Sequence, residues 1–256
     1  MSAFDPTRRL LSLLGVSPVP RVPRRAWAVT DTDWMNSISD PDMQRLGQIC
    51  PPRRYARGER VYRRGEPAGS LHILLEGHVK LAQPGWLGNE RVLTVCGPDD
   101  FFGENFLTGA ATCLADAVCL TDHTVVCPVS REQFLEVATQ LPHVALTFAM
   151  VLARRNADLE ERLHVMTQPV QVRLARVMAE LAVRLGEDTG EGVYHLRLDL
   201  RHDEIASMAN ASRVSATQAI SAWRAQDLVL GTRGDYRVNV RGLEALIEQL
   251  ELEALE

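Results

Sequence analysis

The feature that most restricts this chain is a change of hydrophobic period near Arg131. Before it, between Pro52 and Ser130, short apolar runs are cut by glycine: Arg60 to Tyr62, Leu71 to Leu75, His78 to Ala82, Arg91 to Val95, Ala117 to Leu120 and Thr124 to Val129. Turn signals at Gly58, Gly65, Gly69, Gly77, Gly85, Gly97, Pro98 and Gly103 separate these runs. Strand-length segments at that spacing predict a compact antiparallel barrel or roll, an all-β domain. After Arg131 the period is helical. Phe148, Leu152, Leu159, Leu163 and Met166 recur at helical spacing, with Arg154, Arg155, Asp158, Glu160, Glu161 and Arg162 over the rest of the surface. Such a narrow stripe fits either its own domain or the same helix of a second copy, and a two-stranded seam is the expectation. Its interface residues are Phe148, Leu152, Arg155, Leu159, Leu163 and Met166. Pro169 then breaks the pattern, and a further helix is expected from Val170 to Leu185, ending in a loop from Gly186 to Gly192.

At 256 residues the chain is long enough for two domains. Its net charge of -5 provides no general attraction for nucleic acid, so any such surface must be built locally. No apolar run approaches the roughly 18 residues that span a bilayer, so no membrane partner is expected. Five cysteines without a C-x-x-C pair read as reduced thiols in a cytoplasmic protein rather than as a disulfide framework. Residues 1–39, dotted with proline and arginine, read as a flexible extension, in which Arg8 to Leu14 is a short amphipathic piece.

The most specific local signal runs from Leu198 to Asn239. Asp203 and Glu204 suit a helix N-terminus, Ile205, Met208 and Ala209 form its inward side, and Asn210-Ala211 makes a tight turn. Ser212 can cap a second helix whose inward face is Ala216, Ala219, Ile220 and Trp223. The opposite face holds Arg213, Val214, Thr217, Gln218 and Ser221, with Ser215 beside them. Short polar groups without carboxylate can enter a major groove without repelling phosphates. Leu228 to Leu230 and Tyr236 to Val240 then read as a hairpin wing with Arg233 at its tip. The whole is a winged helix-turn-helix.

The order of glycine-punctuated roll, long helix and C-terminal helix-turn-helix resembles the cyclic-AMP receptor protein/FNR family of bacterial transcription regulators. Arg57-Gly58-Glu59, Gly65-Glu66-Pro67-Ala68, the run Leu71 to Leu81 and Gly97 to Glu104 are similar to that family's β-roll signature. The resemblance implies an α+β chain: a jelly-roll-like β-roll of the cyclic-nucleotide-binding type over 40–140, a dimerisation helix over 141–168, a winged helix-turn-helix over 169–242 and a helical tail over 243–256. It implies a homodimer, double-stranded DNA as ligand, RNA polymerase as partner and, by family habit, activation. Arg213 matches the family's guanine-reading arginine, His202 a phosphate contact. Where family members that read TGTGA have Glu and a second Arg, this chain has Val214 and Gln218, so its half-site is expected to differ.

The resemblance also marks an effector pocket. Gly103 and Glu104 match the Gly-Glu that holds the ribose of cyclic AMP, but the following Arg-Ser-Ala is replaced by Cys113-Leu114-Ala115, and the adenine-contacting Thr-Ser by Asp158 and Leu159. Removing one partner of a desolvated charge pair costs ~2 to 5 kcal/mol, so regulation independent of cyclic AMP, with no cofactor, is the expectation. A redox, iron-sulfur or haem sensor on the same scaffold is the alternative. Cys113, on a loop, is its best thiol, while Cys96, Cys119 and Cys127 read as small buried residues. A cupin-type metalloenzyme would need His72, Glu76 and His78 on one strand face, which a turn at Gly77 prevents, so neither enzyme activity nor a metal site is expected.

Overall fold

The computed structural model describes residues 50–85 and 89–253, and the extension over 1–39 lies outside them. Two compact units emerge from the described residues, one from 50–83 and 94–156, the other from 84–93 and 157–253.

The first unit holds the roll, except that residues 84 and 90–93 of its strands fall in the second. Strands β1 (Arg53–Tyr55), β2 (Arg60–Tyr62), β3 (Ser70–Glu76), β4 (Val79–Pro84), β5 (Glu90–Cys96), β6 (Phe101–Phe102), β7 (Asp116–Cys119) and β8 (Thr124–Ser130) form two four-stranded sheets, ordered β1-β8-β3-β6 and β2-β7-β4-β5. In the first, antiparallel pairing places Leu71 opposite Val129 and Ile73 opposite Cys127. This sheet is buried on both faces, and the alternation is strict. Leu71, Ile73, Phe101, Cys127 and Val129 face one apolar cluster, while Leu74, Phe102 and Val126 face another. Two-sided burial explains why β3 and β8 read as continuous apolar runs rather than as alternating ones.

Helices α1 (Arg131–Gln140) and α2 (Pro142–Val165) follow. Ser130 caps α1 by accepting from Gln133 N, and Gln133 Oε1 accepts from Ser130 N in return. The N-terminal half of α2 covers the roll, with Val144, Phe148 and Val151 buried against its outer cluster. Phe148 stacks on Phe101 with ring centroids 4.4 Å apart. Phe148 and the partly buried Leu152 therefore belong to the core of their own domain, against the expectation that placed them in the seam. Among the described residues, the large apolar side chains that α2 leaves exposed are Leu146, Met150, Leu159 and Leu163.

The second unit comprises α3 (Val170–Leu185), β9 (Glu187–Gly190), β10 (Val193–Leu196), α4 (His202–Met208), α5 (Arg213–Ala225), β11 (Val229–Thr232), β12 (Asp235–Asn239) and α6 (Val240–Glu253). Its sheet has the order β11-β12-β10-β9. The segment expected as a loop after α3 is thus a strand, because β10 pairs with both β9 and the wing strand β12. Val92 N donates to Ser207 Oγ at 3.0 Å, which ties residues 84–93 to this unit.

Two cysteines correct the sequence expectation. Cys50 and Cys127 are joined as a disulfide, their Cα atoms 5.4 Å apart across 77 residues of sequence. Cys50 precedes the first strand and its register against β8 has no local sequence signal, so only the fold brings the two sulfurs together.

Candidate nucleic-acid interface

Helix α4 opens with Arg201 N donating to Glu204 Oε2, and the chain then turns through Asn210, whose φ of 48° is left-handed. A short polar residue tolerates that conformation, so the turn needs no glycine. Ser212 Oγ caps α5 by accepting from Ser215 N at 3.0 Å. Ala216, Ala219, Ile220 and Trp223 are buried, as their spacing predicts. Arg213, Val214, Thr217, Gln218 and Ser221 are exposed.

The exposed face of α5 carries no carboxylate between Arg213 and Ala225. Val214 is 64% exposed, an apolar side chain suited to a methyl contact. Gln218 and Ser215 also border a cleft of about 360 Å³ whose floor includes Leu174 and Trp223.

The wing is a tight hairpin in which Thr232 pairs with Asp235, leaving Arg233 and Gly234 as the turn. Gly231 has φ of 92°, and a Cβ there would lie 2.1 Å from Asp235 O, so only glycine fits. Arg233 is held by both carboxylate oxygens of Asp199. The pair engages two of the five N–H donors of the Arg233 guanidinium. His202, at the start of α4, has both ring nitrogens engaged: Nδ1 lies 3.1 Å from Thr217 Oγ1 and Nε2 3.3 Å from Tyr236 OH. Burial and the guanidinium groups of Arg224 and Arg213 hold its pKa below the usual histidine value.

In the roll, Gly103 has φ of 84° and a Cβ on it would meet His72 Nδ1 at 2.8 Å. The next residue, Glu104, begins a short 3-10 helix and lies 3.5 Å from Arg155 Nη1. The Arg155 guanidinium also sits 4.0 Å above the Phe101 ring. Cys113 is buried and its Sγ points at Pro67 O, 3.9 Å away. Burial pushes its pKa above the usual thiol value. Leu114 is half exposed, and its carbonyl accepts from Gln83 Nε2. Asp158 and Leu159 are exposed on α2. His72 is wedged between Tyr62 and Phe102, and burial lowers its pKa to about 4. Gly77, with φ of 82°, makes the turn that separates Glu76 from His78. Among the described residues no three His, Cys, Asp or Glu side chains lie together as metal ligands.

Two family models match, a cyclic nucleotide-binding domain over residues 52–140 and a Crp-like helix-turn-helix domain over 172–249. The chain is also 30% identical over 177 residues to the CRP-like cAMP-activated global transcriptional regulator of Mycobacterium tuberculosis, covering 69% of this chain and 78% of that protein.

This chain belongs to the cyclic-AMP receptor protein/FNR family of transcription regulators.

A further relative is the transcriptional regulator LdrP of Thermus thermophilus, 30% identical over 198 residues, with 75% of this chain and 94% of the relative covered. Among solved structures, FixK2 from Bradyrhizobium japonicum shares the fold with a TM-score of 0.66 at 19% identity, covering 77% of this chain and 97% of that one. The relatives are named as transcription regulators, and an enzymatic role is set aside with them. Among the described residues no single helix is long and apolar enough to cross a membrane.

Family membership makes the departures in the roll informative. Cys113, which the sequence resemblance matches to the family's phosphate-binding arginine, turns inward to a backbone carbonyl. Glu104, which the resemblance matches to the family's ribose-binding carboxylate, has a cationic partner in Arg155. Sequence reasoning assigned Arg155 to a seam, because helical spacing does not reveal which long side chain reaches back over a neighbouring sheet.

Proposed function

We propose that this family member is a sequence-specific DNA-binding regulator that acts as a homodimer on a palindromic site and does not depend on cyclic AMP. The observation that carries the reading is the exposed, carboxylate-free face of α5, with Arg213 at its first turn. The Arg213 fork suits guanine O6 and N7, Gln218 suits adenine and Val214 a thymine methyl. Leu159, at 58% exposure, and Leu163, at 66%, support self-association, since such a stripe matches the same stripe of a second copy.

Independence from cyclic AMP rests on Arg155, whose pairing with Glu104 provides from within the chain a charge that faces the ribose carboxylate. A nucleotide entering there would have to displace it, without an arginine at Cys113 to receive the phosphate. Activation through RNA polymerase follows from family habit. The test is selection of bound sequences from random duplexes with nucleotide-free protein. A palindrome bound at ~10⁻⁸ to 10⁻¹¹ M near physiological salt is expected. Micromolar binding of cyclic AMP in calorimetry, with a tenfold gain in DNA affinity, would overturn the independence.

A further inference from the structure

His202 sits where the family resemblance expects a phosphate contact, yet its ring is occupied on both sides. Thr217 has one hydroxyl proton, and Oγ1 donates it to Arg213 O at 2.9 Å. Oγ1 must then accept from His202, so Nδ1 carries the ring proton. Nε2 is consequently bare and accepts from the Tyr236 hydroxyl. The chain of donors is unbroken and runs one way, from Tyr236 in β12, through His202 at the start of α4 and Thr217 in α5, to the carbonyl of Arg213.

We infer that Tyr236, His202 and Thr217 form a relay that clamps the first turn of α5 to the wing, and that His202 positions Arg213 instead of binding phosphate. The Tyr236 ring is 1% exposed, which fixes one end of the relay in the core. The other end is the residue whose fork is proposed to read a base. Around the ring, Arg213 and Arg224 on α5, Asp203 on α4 and Arg233 in the wing are the charged groups that act on it. Their balance, with burial, favours the neutral ring that the relay requires.

The inference rests on the DNA-binding reading, and the experiment separates the two. Affinities for the selected site and for random duplex, with their salt slopes, are measured for the full-length wild type and for Tyr236→Phe, His202→Asn and His202→Leu. Tyr236→Phe should lower the preference for the selected site by about three- to tenfold, the usual worth of one hydrogen bond, and leave random-duplex affinity and salt slope unchanged. His202→Asn keeps an amide N–H in the place of Nδ1, so its loss should equal that of Tyr236→Phe. His202→Leu breaks both links and should lose more than either.

A merely structural defect would lower both affinities together and would appear in thermal melts. If His202→Asn weakens binding to every duplex and reduces the salt slope by about one, His202 is a phosphate ligand and the inference fails. Wild-type discrimination in Tyr236→Phe would also overturn it. A wild type that prefers no sequence would overturn the DNA-binding reading as well.

Discussion

Arg155 Nη1 stands 3.5 Å from the carboxylate of Glu104 in the same chain, with the guanidinium stacked over Phe101. The pair is three-quarters buried, at 25% and 30% side-chain exposure, so screening is partial. Arg155→Met retains the apolar stem and removes the charge. It should lower the stability of the roll by about 1 to 2 kcal/mol, from the ion pair and the cation-π contact together. Denaturant midpoints of this variant, Glu104→Gln and the double variant measure the coupling, and additive losses would show that the pair contributes nothing.

Base reading by Arg213 predicts a loss restricted to one position. Arg213→Ala should cost ~1 to 3 kcal/mol on the selected site and relax the preference for guanine at one position in each half-site. Competition binding against single-base variants checks this. Equal losses on specific and random DNA would refute it.

The seam and the core now separate along α2. Leu159→Asp with Leu163→Asp should yield folded monomers in sedimentation, because paired carboxylates would face their copies across the seam. Phe148→Ala should instead destabilise the roll by ~3 to 5 kcal/mol, since its ring packs between Phe101 and Phe134. An unchanged dimer in the first variant, or an unchanged melting temperature in the second, would reverse these assignments.

His72 predicts acid sensitivity of the roll. Its folded pKa of about 4 lies below the unfolded value near 6.5, so the unfolded chain takes up a proton first as pH falls. Its contribution is constant above about pH 6.5 and is lost between there and pH 4, by at most ~1.4 kcal/mol per pH unit. Chemical denaturation across that window should show a shallower pH slope in His72→Gln. An identical slope would assign the acid sensitivity elsewhere.

The Cys50–Cys127 link closes a 77-residue separation, for which chain entropy gives about 4 kcal/mol of stabilisation. Thiol titration of the denatured, unreduced protein should find the three free cysteines, Cys96, Cys113 and Cys119. Cys50→Ser should lower the denaturant midpoint, and five titratable thiols would remove the link.

Periodicity alone determined the elements that bury a regular face. Six roll strands, β2, β3, β4, β5, β7 and β8, were legible as short apolar runs between turn signals, and α3 and the inward face Ala216, Ala219, Ile220 and Trp223 because burial imposes period 3.6 on neighbouring residues. The outward residues of α5 were legible for the same reason, as the complement of that face. Short or irregular elements were not. Strand β6 has two residues, and β9 lies in the polar run Glu187–Gly190; each exists only because a partner strand takes up its backbone groups. Only the tertiary structure decided which half of α2 covers the roll, that Arg155 meets Glu104, that Cys50 meets Cys127 and that His202 is enclosed by Tyr236 and Thr217. These contacts join residues that no local period relates, and their geometry depends on how sheets and helices converge.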